Sequence, residues 1–348
     1  MREPVYPFIS IILLNYNGRK YSKYWSYLFS LDYPKEKYEI VFIDNGSSDG
    51  SGEIFAKDAG RFTDLTVKMI KLEQNCGYSK ANNLGVERAR ANGDYIALLS
   101  NDIRVSSDWL RNAIEILESD KQIGVAQSMM YKLDNTSKPD EMGNYIDVFG
   151  LNYSFHYSEK IKEVSYCEGA VMFIRRKILS ETDGLFDEKY FMFYEDVDFS
   201  WRARLMGYKL VVIPHSIVYH KRGGTVSGIL MKTKPLYVFC NTRNRLKTLY
   251  KNYSPLNMLK YLPFAIGIET MKGTMLAFSR KTDSALACYK GILDFIFELP
   301  HDASLRASIQ QKRVVDDSYV LKYILSAEDA IRHLFSSAVF LQDEWEKQ

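Results

Sequence analysis

The chain has 348 residues, 46% hydrophobic and 26% charged, with a formal net charge of +3. These values exclude gross disorder and leave room for one large domain with an extension, or for two domains. Cys76, Cys167, Cys240 and Cys288 lie far apart with no CxxC pair, which excludes a disulfide framework and a zinc ribbon and implies reduced thiols.

The N-terminal stretch MREPVYPFIS lacks the apolar core of a signal peptide, and no stretch reaches the ~18 uncharged apolar residues of a membrane span. A cytoplasmic catalytic part is therefore expected. FISIILLNYN (8–17) is a short apolar run closed by polar residues, the pattern of a strand buried on both faces. SKYWSYLFSL follows with helical spacing. YEIVFIDNGSSDGS (38–51) repeats the logic, a strand ending in Asp44 before a turn and a helix. LTVKMIKL is a third strand, YSKANNLGVERARANG a helix closed by Gly93, and DYIALLSND a fourth strand. Four strands alternating with helices predict an α/β fold with a mostly parallel sheet and right-handed crossovers. Ligands of such sheets bind at the strand carboxyl ends, here Asn15 to Asn17, Asp44 to Asp49, Asn75, and Ser100 to Asp102.

Neither GxGxxG nor GxxxxGK[ST] is present. Without a glycine-rich loop to hold phosphates, a divalent cation must neutralise them. Asp44 suits a base N–H or a ribose hydroxyl. Asp102 suits the cation, and equally a turn or helix cap. Beyond it come a helix (SSDWLRNAIEILES), a strand (GVAQSMMY), a loop-rich section (132–160) and a strand from Gly169 to Ile174.

Charge is unevenly spread. Seven acids fall between Glu181 and Asp198, and nine basic residues with no acid between Lys221 and Tyr261. The order suggests a site for a cation and phosphates, or simply a solvated basic face. YFMFYEDVDFSWRARLMGY (190–208) sets Glu195, Asp196 and Asp198 among aromatic residues, with a helix expected from about Val197. Helix-dipole complementation accounts for one such acid better than for three. From residue 233 the composition changes to long amphipathic segments, giving expected regions 1–232 and 233–348.

SIILLNYNG with IDNGSSDGS, NCGYSKANNLGV, LLSND, CEGAVMFIRR, GLFDEKYFMFYEDVDFSWRARLMGY and VYHKRGG together resemble the inverting glycosyltransferases of family 2, with their GT-A fold. The YxEDVDxxxRxRxxGY…H signature and NTRNRL are similar to the rhamnosyltransferase-like branch. The resemblance implies a metal-dependent transfer of a sugar from a nucleoside diphosphate sugar, UDP- or dTDP-linked, to the hydroxyl of a glycan or polyprenyl-linked acceptor. It implies donor contacts at Asn15, Asn17, Asp44, Asn45, Asp49, Asn75, Ala81, Asn82, Asn101, Lys221 and Arg222. Where the family has DxD this chain has Ser100-Asn101-Asp102, so Asp102 inherits Mn²⁺ or Mg²⁺ and needs a second ligand, His220. Asp196 would be the general base, assisted by Glu195, while Asp198 serves the helix with Arg202 and Arg204 as partners. Glu168, Gly169 and Trp201 would line the acceptor.

The segment 241–278, basic at its start and then apolar, suits helices lying in a membrane interface on the inner face of the cell membrane, or else a packed subdomain or homodimer contact. No nucleic-acid partner is expected. Two rival functions stand beside the transferase: a nucleotidyltransferase, for which NYNGRKYSK is a poor loop, and an inactive sugar- or lipid-binding homologue.

Overall fold

The computed structural model describes residues 6–140, 142–155, 159–221, 234–330 and 332. The first half alternates as expected: β1 (Ile9–Asn15), α1 (Ser22–Trp25), β2 (Tyr38–Asp44), α2 (Ser51–Ala59), β3 (Thr66–Lys71), α3 (Tyr78–Arg88) and β4 (Tyr95–Ser100). There follow β5 (Ile103–Val105), α4 (Trp109–Ser119), β6 (Ile123–Lys132), β7 (Asn135–Pro139), β8 (Met142–Ile146), β9 (Asn152–Phe155) and β10 (Lys162–Glu163). Then come β11 (Val171–Arg175), α5 (Ile178–Glu181), α6 (Glu195–Leu205) and β12 (Lys209–His220). The C-terminal part is helical: α7 (Pro235–Asn252), α8 (Pro255–Phe278), α9 (Thr282–Lys312) and α10 (Asp317–Leu321).

The main sheet runs β10-β12-β6-β11-β4-β1-β2-β3. β3, β2, β1 and β4 are mutually parallel, and β12 is parallel to β6. β11 is inserted antiparallel between β4 and β6, which keeps β6 and β12 pointing the same way as β4. The carboxyl ends of β1, β2, β4, β6 and β12 therefore share one edge with the amino end of β11. β12 continues through Pro214 because the register shifts between Ile213 and Ile217, a bulge that tolerates the missing N–H.

Every residue of β1 and β2 is buried, and alternate side chains serve different cores. Ile9, Ile11 and Leu13 pack with Trp25, Phe55, Trp109 and Leu110 on one face. Ile12 and Leu14 pack with Ala81, Phe199 and Ala203 on the other. A third core joins Tyr190, Tyr194, Val197 and Trp201 to Leu246, Leu249, Tyr253, Ile292 and Phe295. The C-terminal helices thus share a core with the sheet domain. The expected boundary near 233 lies outside the described residues.

Two expectations need correction. Helix α6 begins at Glu195 rather than Val197, because Tyr194 before it adopts a left-handed backbone (φ 68°) that closes the loop. The basic residues of α7 do not form an outward face. Arg243, Arg245, Lys247 and Lys251 are buried and paired, at 3.1 Å to Asp294, 2.7 Å to Glu269, 2.6 Å to Glu298 and 3.0 Å to Asp187. A cation cannot leave water without such a partner.

Candidate active site

Asn15, at the end of β1, is fully buried and ties the strand ends together. Its amide nitrogen donates to Ser51 Oγ at 2.8 Å, Ser47 Oγ at 3.1 Å and Asp44 Oδ1 at 3.3 Å. Its oxygen accepts from Asn101 Nδ2 at 2.8 Å. Gly18, not singled out from the sequence, covers this pair so closely that a Cβ there would stand 2.2 Å from Asn15 Oδ1. Asn17 is exposed at the rim, its oxygen accepting from the Ser48 N–H, while Asp49 accepts from the N–H groups of Arg19 and Ser51. Asn45 links to Asn75, its Nδ2 donating to Asn75 Oδ1 at 3.1 Å. These residues form one polar floor.

Ala81 and Asn82 are fully buried in α3, and Ala81 belongs to the sheet core. They therefore support the floor from beneath. Trp201 is a clearer correction: its ring is 2% exposed and edge-on to Tyr253 at 4.8 Å, leaving no face for an acceptor sugar. Lys221 is bound at the rim, its backbone N–H on the Asp102 carbonyl at 3.1 Å and its ammonium paired with Asp134. Arg222 and the glycines after it lie outside the described residues.

Asp102, in the turn between β4 and β5, and His220, at the end of β12, come together. His220 Nε2 stands 3.5 Å from Asp102 Oδ1, and Nδ1 stands 3.7 Å from Asp140 Oδ2. Burial disfavours the imidazolium, yet Asp102 and Asp140 outweigh it and push His220 up to about 9. Asp140 was missed because it sits in the patternless section 132–160. A carboxylate behind a histidine orients the ring for a metal on its other nitrogen. The oxygen and imidazole donors suit Mn²⁺ or Mg²⁺, which would replace the proton of His220. Among the described residues Asp187, His301 and Asp302 also cluster, with ligand atoms within 4.8 Å of one another. Lys251 at 3.0 Å from Asp187 and Lys247 at 3.2 Å from Asp302 already neutralise those acids.

The three acids of 195–198 separate by environment. Asp196 Oδ2 accepts from the Gly169 N–H at 3.0 Å, and Oδ1 from the Val197 N–H at 2.8 Å. Burial pushes its carboxyl up to about 6 against the pull of the Gly169 hydrogen bond, and the charge of Glu168 adds to the rise. Glu195 is buried and held well above the usual carboxylate range, first by burial and then by Asp196. Asp198 is buried but lowered, because Lys251 at 3.2 Å and Arg202 at 3.0 Å overcome its desolvation. Arg202 is thus its partner as expected. Arg204 turns to Glu163 instead, at 2.7 Å. Tyr78 is a further unexpected neighbour, its hydroxyl raised by burial and by the charges of Glu195 and Asp196.

Glu168, whose N–H donates to Gln127 Oε1 at 2.7 Å, acts electrostatically on both Asp196 and His220. The Asp196 carboxyl and the Asp102–His220 pair therefore stand on one strand edge beside a polar floor. A wide cleft of about 1030 Å³ opens elsewhere, among Phe8, Arg90, Tyr95 and Arg175 at the strand amino ends. Chemistry rather than volume assigns the site to the carboxyl edge.

Polar and acidic groups gathered at the carboxyl ends of parallel strands make this edge the candidate ligand-binding face of the sheet. Residues 10–182 match the family model of Glycosyl transferase family 2, and the chain belongs to that family. It is 25% identical over 213 residues to glycosyltransferase AglE of Haloferax volcanii, covering 61% of this chain and 66%, less than two thirds, of that protein. It is 26% identical over 234 residues to the dolichyl N-acetyl-alpha-D-glucosaminyl phosphate 3-beta-D-2,3-diacetamido-2,3-dideoxy-beta-D-glucuronosyltransferase of Methanococcus voltae (65% and 70%). With rhamnosyltransferase WbbL of Escherichia coli identity is 28% over 230 residues (61% and 83%). Staphylococcus aureus TarS 1–349 in complex with UDP-GlcNAc superposes with a TM-score of 0.58 at 18% identity, over 90% of this chain and 91% of that one. Mannosyltransferase PcManGT from Pyrobaculum calidifontis, in complex with GDP-Man and Mn²⁺, gives 0.54 at 16% identity (88% and 86%). These likenesses establish a GT-A fold with a C-terminal helical region.

Proposed function

We propose that the protein is a metal-dependent, inverting glycosyltransferase that moves a sugar from a nucleoside diphosphate sugar to an acceptor hydroxyl of a lipid-linked or cell-envelope glycan. The observation that carries this reading is the raised carboxyl of Asp196 on the same edge as the Asp102–His220 pair. Asp44, Asn15 and Asn17 form the floor for the nucleoside, with Asn45, Asp49, Asn75 and Asn101 bracing it, in the region 1–232. Asp196, ionised above its pKa of about 6, accepts the proton of the acceptor hydroxyl as that oxygen attacks the anomeric carbon. Attack from the face opposite the leaving diphosphate inverts the centre. Glu195, whose carboxyl burial and Asp196 shift toward the protonated form, lies beside the acceptor to orient it, and Glu168 and Gly169 form the wall beside it. Mn²⁺ or Mg²⁺ held by Asp102 and His220 would supply positive charge to the leaving diphosphate. The donors bound in the similar structures support a nucleotide sugar, and UDP- or dTDP-sugars are the first candidates.

Membrane attachment is part of this proposal, with a changed basis. No helix among the described residues is long and apolar enough to cross a membrane. α8 and α9 nevertheless expose Leu256 (77%), Leu259, Phe264, Met271, Met275, Phe278 (87%), Leu286 and Phe297 (79%). Lys260, Arg280, Lys281 and Lys290 are exposed with them. This region, within 233–348, suits peripheral contact with the cytoplasmic face of an anionic bilayer. A homodimer through the same face is the competing use.

The test is a panel of UDP-, dTDP- and GDP-sugars, scored for thermal stabilisation and hydrolysis with and without Mn²⁺. Metal-dependent stabilisation by a nucleotide sugar supports the reading. The absence of any effect across the panel, with Mn²⁺ and with Mg²⁺, would overturn it.

A further inference from the structure

The segment that delivers Glu195 and Asp196 is strained. Phe191, Phe193 and Tyr194 all have positive φ, at 59°, 68° and 68°, a conformation disfavoured for aromatic residues. Such a turn persists only where its surroundings over-determine it. Part of the restraint comes from α3, whose first N–H groups, those of Tyr78 and Ser79, donate to the Phe191 carbonyl at 2.6 and 3.3 Å. Gly77 (φ 91°) makes that approach possible, since a Cβ there would lie 2.6 Å from the Phe191 ring.

The rest comes from α7. Asn244 is fully buried, and its amide nitrogen donates to three carbonyls of this one turn: Tyr190 at 2.9 Å, Met192 at 2.9 Å and Phe193 at 2.8 Å. Its oxygen accepts from Arg243 Nε at 2.9 Å, which fixes the sense of the amide, because a flipped group would set its oxygen against three carbonyls. Arg243 is itself anchored to Asp294 of α9 and donates to the Lys189 carbonyl at 2.6 Å. About two turns further along α7, Lys251 and Asn252 hold Asp198 at 3.2 and 2.9 Å. α7 therefore grips the acid-bearing segment on both sides of Asp196.

We propose that Asn244, oriented by Arg243, is a positioning residue for the general base: it gathers the carbonyls of 190–193 and so sets the angle at which α6 presents Asp196 to the acceptor. The inference rests on the role proposed above for Asp196. It makes the C-terminal helices part of the catalytic scaffold rather than an attachment to it. Asn244 touches no reacting atom, so its effect should fall on turnover and leave nucleotide binding alone.

The test compares full-length Asn244→Asp, nearly isosteric but with an acceptor facing the three carbonyls, with Leu249→Ala. Leu249 is a buried residue of the same helix that makes none of these contacts. Should Asn244→Asp fail to fold, Asn244→Ser takes its place. Three quantities are read: amide hydrogen exchange across 190–198, affinity for UDP with Mn²⁺, and hydrolysis of UDP-N-acetylglucosamine at saturation. The expected result is exchange faster by at least roughly tenfold in 190–198, UDP affinity within about twofold, and turnover lower by on the order of 10²-fold, as for a base displaced by about 1 Å. Leu249→Ala, compared at an equal distance below its own melting temperature, should show neither the local exchange nor the turnover loss. Equal exchange in the two variants, or faster exchange with undiminished turnover, overturns the proposal. If the wild type releases no UDP, that counts against the functional reading, and the exchange comparison alone then decides the clamp.

Discussion

Replacing Asp196 by Asn should remove turnover and, above pH 6, make the protein more stable. Burial raises the Asp196 carboxyl from 3.8 to about 6, so the folded state binds its proton more tightly than the unfolded chain does. An acid shifted upward costs stability as pH rises: nothing below its unfolded pKa, and the full amount above its folded one. A shift of about two units corresponds to ~3 kcal/mol at pH 8, and roughly half of that develops between pH 5 and pH 8. Asn cannot ionise, so it escapes this cost. It loses one of the two hydrogen bonds from Gly169 and Val197, about 1 kcal/mol. The net expectation is a variant more stable than wild type by ~1–2 kcal/mol at pH 8, an advantage that is largely lost at pH 5. Urea unfolding at the two pH values measures it. Turnover should meanwhile fall by ~10²–10⁴. A variant whose stability relative to wild type is the same at both pH values would refute the argument that Asp196 is held in its site against its own ionisation.

Asp198→Asn should behave oppositely, costing ~3 kcal/mol of stability at pH 7 because Lys251 and Arg202 lose a buried counter-charge, while nucleotide binding survives; unfolding curves and UDP titration check both. If Asp198→Asn lowers turnover more than Asp196→Asn does, the base has been assigned to the wrong acid. Asp102→Ala and His220→Ala should abolish the Mn²⁺-dependent part of UDP binding, and Asp140→Asn should weaken Mn²⁺ by ~10–100-fold, measured by calorimetry; unchanged affinity in all three removes the metal site. Turnover of the wild type should fall about tenfold from pH 7 to pH 5 as Asp196 takes up its proton, and a flat profile would contradict its role. Full-length protein should co-sediment with anionic liposomes, less so at high salt, and Phe278→Ser with Phe297→Ser should release it. Protein that stays in the supernatant at low salt, or dimerises through this face, rejects the membrane reading.

The parallel half of the sheet was legible because buried strands leave unbroken apolar runs, and each of β1, β2 and β4 ends in the polar residues that form the site floor. The antiparallel insertion of β11 was not, since GAVMFI reads the same in either direction. Asp102 and His220 lie 118 positions apart. Family likeness suggested the pair, and β5 pairing with β12 sets His220 opposite Ile103, next to Asp102. Asp140 carried no signal at all. Trp201 misled because an aromatic residue near acids looks the same from sequence whether it faces a sugar or a core. The basic run of α7 misled for a related reason. Glu269, Asp294, Glu298 and Asp302 come later in the chain, on α8 and α9, and Lys251 turns back to Asp187 and Asp198, so an acid-free window can still be electrically neutral in space.

The grip of α7 on the turn before α6 also bears on the order of assembly during synthesis. The strands that form the nucleotide floor are complete by residue 105, and the acids have left the ribosome's catalytic centre by Asp198, yet Asn244, Lys251 and Asn252 are still unmade. At ~5–20 residues per second, the interval from Asp198 to Asn252 is about 3–11 s. For that time the acid-bearing turn has its contacts from α3 and Gly169 but lacks those of α7. Catalytic competence must then arrive late and at once, when α7 emerges and docks.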